Sequence, residues 1–108
     1  MGVDCGLFVK EHNKYLDLDR YNVFCNEEEY LVEAGEEYTH QELKDRIEKL
    51  ITYAIDQKKK TQLYWLNVVL HYIYSVDNST ETLTFFVQHD HNEGYWDLLD
   101  KHNKVTFS

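Results

Sequence analysis

The chain has 108 residues, no proline and only four glycines (Gly2, Gly6, Gly35 and Gly94), so long flexible linkers are not expected. Its uninterrupted apolar runs are too short for a membrane-spanning segment. Cations are scarce: 11 Lys and Arg face 20 Asp and Glu, for a formal net charge of −9. Affinity for phosphate rests on Lys and Arg, so direct nucleic-acid binding is disfavoured. No Gly-x-Ser-x-Gly elbow, P-loop, HExxH or GxGxxG occurs. Carboxylates are plentiful, but acid–base catalysis needs a perturbed pair in a cleft, which so small a core does not favour. The expectation is a protein that is not an enzyme, with no catalytic residues and no cofactor.

What is present is a core. Nine Tyr, five Phe and two Trp in a chain that is 43% hydrophobic are too many for a disordered acidic tail. The length suits one domain spanning 1–108. The first residues carry an acid at Asp4 and no cationic leader, unlike a secretory signal. Gly6 stands where myristoylation wants Ser or Thr. The expected location is the cytoplasm.

Residues 3–10 alternate, with Val3, Cys5, Leu7 and Val9 on one face and Asp4, Gly6, Phe8 and Lys10 on the other. A loop at 11–14 sets Lys10 opposite Tyr15, Val9 opposite Leu16 and Leu7 opposite Leu18, so a hairpin over 3–24 is predicted. In that register Cys5 faces Arg20, and Cys25 lies about 17 Å further along at roughly 3.3 Å per residue. A disulfide needs Cα atoms within about 7 Å, so two reduced thiols are expected.

Thr39 and Glu42 form a capping-box pattern ahead of Leu43, Ile47, Leu50, Ile51, Ala54 and Ile55 at helical spacing. Lys58 to Lys60 then suit the negative end of that helix dipole. Residues 62–76 read as a strand by their apolar even positions and as a helix by Leu63, Leu66, Leu70 and Ile73. Fifteen residues exceed a usual strand, which favours helix. Asp77 to Thr80 read as a turn and Thr82 to Gln88 as a strand. A short element is expected at Tyr95 to Leu99, and a last strand at Val105 to Phe107. The predicted class is α+β: a small antiparallel sheet, made of the N-terminal hairpin and C-terminal strands, packed against two helices.

The charge is concentrated in one place. Between Asn26 and Tyr38 stand Glu27, Glu28, Glu29, Glu33, Glu36 and Glu37, with no Lys or Arg among them. Like charges so close together repel, and a one-signed potential steers a complementary partner. A solvated, solubilising loop explains the same pattern. The functional reading adds Asp17 and Asp19 to the patch, with Tyr30 and Tyr38 as desolvated anchors alongside Tyr21 and Phe24. His89 and His91 are two apart, the spacing of two metal ligands on one strand face, but no third spaced ligand accompanies them. No metal is expected.

The opening Met1-Gly2-Val3-Asp4, an apolar strand and then Tyr15-Leu16-Asp17-Leu18-Asp19-Arg20 resemble small uncharacterised proteins of bacteriophages and prophages. Those begin Met-Gly-x-Asp and carry a hairpin whose second strand reads Leu-x-Leu. The resemblance runs over residues 1–20 only. It implies an accessory protein in the cytoplasm of a bacterial host and lends no catalytic residues. Many phage accessory proteins of this size and acidity block host defences such as CRISPR nucleases or restriction enzymes.

The resulting expectation is a non-enzymatic anti-defence inhibitor that binds a basic surface of a nuclease or other nucleic-acid-handling protein, as a nucleic-acid mimic would. An immunity protein for a cognate toxin uses the same physics. A nucleotide-binding sponge would instead stack a base on Tyr64, Trp65, Tyr95 or Trp96. Neither nucleic acid nor membrane is an expected partner, and the sequence leaves a homodimer open.

Overall fold

In the computed structural model, which describes residues 5–10, 14–18, 21–76, 84–89, 94–101 and 103–105, the alternating N-terminal segment is the centre of a sheet. The elements are β1 (Cys5–Val9), β2 (Lys14–Leu18), a 3-10 turn (Tyr21–Phe24), β3 (Glu37–Thr39), α1 (His40–Asp56), α2 (Lys60–Ser75), β4 (Thr84–His89), α3 (Tyr95–Lys101) and β5 (Asn103–Val105). The sheet order is β3-β4-β1-β2-β5. The first four strands pair antiparallel, and β5 runs parallel to β2. The fold is α+β, with the two longer helices over one face of the sheet.

The hairpin forms, but its second strand ends at Leu18 and the predicted continuation at 21–24 is the 3-10 turn, and its register differs by two residues from the sequence reading. Leu7 lies opposite Leu16, Cys5 opposite Leu18 and Val9 opposite Lys14, so the loop is 10–13 and not 11–14. A shift of two keeps every side chain on its own face, which is why the apolar pattern could not detect it. Cys5, Leu7 and Val9 meet Leu16, Leu18, Phe85 and Val87 on the helix side of the sheet. The far side is not polar along β1 as the alternation suggests. Phe8 is fully buried there, stacked on Tyr15 at 5.2 Å and on Phe86 at 5.4 Å. Neither cysteine is in a disulfide; Cys5 is buried and Cys25 half-buried.

Thr39 caps α1 as the sequence predicts. Its hydroxyl accepts the Glu42 N–H at 3.2 Å, and the Glu42 carboxylate accepts the Thr39 N–H at 3.0 Å. Leu43, Ile47, Leu50 and Ala54 face the core. The ambiguous apolar stretch is α2, which buries Leu66, Val69, Tyr72 and Ile73 at helical spacing. At the far end of the pair, His40 Nε2 donates to the Ile73 carbonyl at 3.1 Å.

The lysine run does not end α1. The helix stops at Asp56, and Lys58 takes a left-handed backbone (φ 56°) while the Lys59 N–H returns to the Ala54 carbonyl at 2.9 Å. Lys59 and Lys60 then open α2, where cations oppose the dipole. The turn between two antiparallel helices is so short that one run of residues must serve both ends. After Gly94 the short element is the helix α3, and β5 starts two residues before the predicted 105–107. The turn expected at 77–80 and residues 106–108 lie outside the described residues. Among the described residues, no helix is long and apolar enough to cross a membrane.

Candidate functional site

The acidic segment is a hydrogen-bonded structure along its whole length. Asn26 Oδ1 accepts the N–H groups of both Glu28 and Glu29 at 3.0 Å, and the Asn26 N–H reaches the Glu29 carbonyl at 2.9 Å. Cys25 and Tyr30 are bridged antiparallel, so residues 25–30 form a tight turn with Glu27, Glu28 and Glu29 exposed at its tip. Val32, fully buried, then anchors the chain in the core.

Three side chains clamp the backbone beyond the tip. Arg46 donates to the Leu31 carbonyl at 2.9 Å, the Tyr38 hydroxyl accepts the Glu33 N–H at 2.9 Å, and the Tyr21 hydroxyl accepts the Ala34 N–H at 2.7 Å. Gly35, at φ 88°, turns the chain so that its N–H meets the Val87 carbonyl at 2.7 Å. That backbone conformation favours glycine. Burial pushes the Tyr21 and Tyr30 phenols above their ordinary pKa, so both are neutral and remain hydrogen-bonding groups.

The segment runs antiparallel beside α1. Glu27, Glu28 and Glu29 surround a shallow cleft with Tyr53 and Gln57 near the end of the helix, whereas Leu31 lies beside Arg46 and Glu37 stands two residues before the Thr39 cap. At 1.5 Å per residue the helix between them is about 25 Å long. The six glutamates are all exposed but do not form one compact patch. Glu37 belongs to a different face. It is opposite Phe86 in the β3–β4 register, on the side of the sheet away from α1 and α2, and lies 3.9 Å from Lys10. Among the described residues, Glu27, Glu28, Glu29, Glu33 and Glu36 form no ion pair.

The other predicted contacts divide similarly. Asp17 is half-buried opposite Gly6 on the face away from the helices, three strands from β3 and so roughly 14 Å across the sheet. It does not extend the glutamate group. Asp19 lies outside the described residues. Tyr30 is 39% exposed and stacks on Tyr21 at 4.5 Å with an interplanar angle of 9°. Tyr38, predicted as an anchor, is only 7% exposed. The strand period turns its ring inward, with the Arg46 guanidinium 4.9 Å from the ring centroid. Phe24 is fully buried. Of the four aromatics in and around the segment, Tyr30 is the exposed one.

The sequence reading passed over the carboxylates of α1 itself. Glu42, Asp45, Glu48 and Asp56 are exposed, with Lys49 the cation among them. Helical stepping places Glu42, Lys49, Asp56 and Asp45 next to the side carrying Arg46, Tyr53 and Gln57, along which the acidic segment runs. The signal was available as the polar complement of the apolar stripe.

Across from the glutamate tip, Lys59, Lys60, Thr61 and Gln62 line a cleft of about 500 Å³ with Asn22, Asn26, Glu27 and Tyr53. Gln62 ties its walls together by donating to the carbonyls of Val23 and Cys25 at 2.9 and 2.8 Å.

Among the described residues, no three His, Cys, Asp or Glu side chains come close enough to hold a metal ion. The side chain of His89, at the end of β4, and all of His91 lie outside the described ones. Tyr64 and Trp65 meet edge-to-face at 5.2 Å and offer no parallel slot for a base. The side chains of Tyr95 and Trp96 lie outside those described.

Compared with protein-family models, curated proteins and solved structures, the chain matches none.

Proposed function

We propose that this protein is a non-enzymatic inhibitor that binds a basic surface of a nuclease or other nucleic-acid-handling protein and occludes it, in a phage-encoded anti-defence role. The observation that carries the reading is the turn tip: Glu27, Glu28 and Glu29 are exposed, carry no ion pair among the described residues, and stand on backbone held by Asn26. Carboxylates on fixed backbone lose less freedom on binding than those on a loose loop. Glu33 and Glu36 continue the negative surface along the segment, and Glu42, Asp45 and Asp56 line its α1 side. Such a surface raises association rates with a cationic groove and suppresses like-charged partners. Tyr30 is the aromatic contact at its edge. Glu37 and Asp17 face elsewhere and are not part of it.

The partner is sought by pull-down from a bacterial host lysate read by mass spectrometry, with affinity then followed against salt. Binding is expected to weaken as salt rises. Reversing Glu27, Glu28 and Glu29 together to Lys should abolish it. Unchanged affinity in that variant would overturn the reading, since all three side chains are exposed and their replacement leaves the core intact.

A further inference from the structure

The far face of the sheet holds another cleft, of about 370 Å³, lined by Lys10, Gly35, Glu37, Phe86, Gln88 and Leu98. Strand alternation builds its floor. Phe86 and Gln88 are two apart on β4 and share the side of the sheet away from α1 and α2. Glu37 stands opposite Phe86 on β3, and Lys10 follows the last residue of β1. Leu98 of α3 supplies a further apolar wall.

One group in this cleft is incomplete. Gln88 Oε1 is shielded from solvent yet accepts no hydrogen bond. Native folds keep few such oxygens, because an acceptor that has lost water and gained no donor is costly. Gly6, the partner of Gln88 on β1, has no side chain to offer, and Phe86 is apolar. A molecule entering the cleft can supply the donor.

Charge narrows the class of molecule. Lys10 Nζ and Glu37 Oε2 are 3.9 Å apart with both side chains more than half exposed, a long and weakly held pair. One cation and one anion make a rim of no net charge, on a chain whose formal charge is −9. A simple anion is repelled by Glu37 and a simple cation by Lys10. A zwitterion satisfies both.

We infer that this cleft binds a free α-amino acid with an apolar side chain. Its ammonium donates to Gln88 Oε1 and to the Glu37 carboxylate, which are diagonal neighbours across β3 and β4. Its carboxylate meets Lys10, and its side chain lies against Phe86 and Leu98. Phe86 is stacked on Phe8 but only half-buried, so it retains surface for this contact. The cleft is at the small end of the roughly 300–1,000 Å³ of ligand pockets, which suits one amino acid better than a nucleotide.

Isothermal titration calorimetry of the whole chain with L-phenylalanine and L-leucine tests the inference. One saturable site is expected for at least one of them. N-acetyl-L-phenylalanine lacks the ammonium and L-phenylalaninamide lacks the carboxylate, and each should bind about tenfold or more weakly. Gln88→Met removes the acceptor at similar size and should weaken binding by a similar factor. The same variant should raise the Tm of the ligand-free chain, because it also removes an unsatisfied oxygen. Glu37→Gln should weaken binding without unfolding the chain. Replacing Glu27, Glu28 and Glu29 by Lys should leave amino-acid binding intact, so this inference and the inhibitor reading fail separately. A chain that gives no saturable isotherm with either amino acid would overturn the inference. So would wild-type affinity in Gln88→Met and Glu37→Gln, or equal binding of the N-acetyl compound. A fall in the Tm of Gln88→Met would overturn it too, by showing that the oxygen has a partner of its own.

Discussion

The phenolic oxygen of Tyr21 accepts the backbone N–H of Ala34 at 2.7 Å, across 13 positions of sequence. The neighbouring N–H, of Glu33, goes to the hydroxyl of Tyr38 at 2.9 Å. Two tyrosines on opposite sides of the acidic segment thus satisfy consecutive backbone donors and hold its mutually repelling carboxylates in place.

Removing one hydroxyl isolates that contribution. Tyr21→Phe keeps the ring and its stacking on Tyr30 but leaves the part-buried Ala34 N–H without its acceptor. The expected cost is about 1–2 kcal/mol of unfolding free energy. Urea denaturation measures it. Amide exchange should quicken at Ala34 and remain unchanged in the buried turns of α2.

Glu42 gives the fold a defined acid sensitivity. The hydrogen bond from the Thr39 N–H holds the Glu42 carboxyl below its ordinary value of 4.5. A carboxyl with a depressed folded pKa contributes stability that is complete above the unfolded pKa. That stability is lost as pH falls through the lower folded value. Glu42→Gln should therefore be less stable than wild type near neutrality, and the difference should close in acid. Denaturation across a pH series reads it. Thr39→Ala, which removes the other half of the box, should cost about 1 kcal/mol.

Gly6 leaves little room for a side chain on the sheet's far face. A Cβ there would stand 3.0 Å from the Phe8 ring and 3.2 Å from Tyr15 Cδ2. Phe8 is fully buried between Tyr15 and Phe86 and has no room to retreat. Gly6→Ala is expected to destabilise by about 1–3 kcal/mol through overpacking, visible as a lower Tm.

Lys58 offers the reverse experiment. Its left-handed backbone strains any residue with a Cβ, and its side chain is exposed. Lys58→Gly relieves that strain at the cost of a more flexible unfolded chain. Stability should rise by up to about 1 kcal/mol in a denaturation midpoint. A loss would mean that the relief of strain at this backbone is smaller than the entropy that glycine adds to the unfolded chain.

Much of the architecture was legible because it depends on local chemistry. The capping pair Thr39 and Glu42, the apolar stripe of α1 and the face assignment in the first hairpin follow from spacing alone. The hairpin register did not, because a two-residue shift preserves every inside–outside choice. The lysine run was misread for a related reason. A cation after a helical stripe suits a C-terminus, and although the apolar stretch from 62 favours a second helix, nothing local reveals that its first turn already begins at Lys60. At the site, the exposure of Glu27, Glu28 and Glu29 agrees with their charge, since unpaired carboxylates resist burial. The burial of Tyr38 was hidden, because tyrosine is at home in a core as well as at an interface.

By itself the sequence determined that this chain has a core, an α+β pattern, a capped first helix and a segment dense with negative charge. Those properties reside in composition and in periods of two and 3.6 residues. Only the tertiary structure decided which glutamates share a side. The chain crosses from the flank of α1 to a sheet edge within 13 residues, and strand alternation sends Glu37 to the far face beside Lys10. It likewise decided which side of the helix after the lysines is spent on the core, through Leu66, Val69, Tyr72 and Ile73. Both outcomes depend on which elements pack together, and packing is a relation between segments that no single segment encodes.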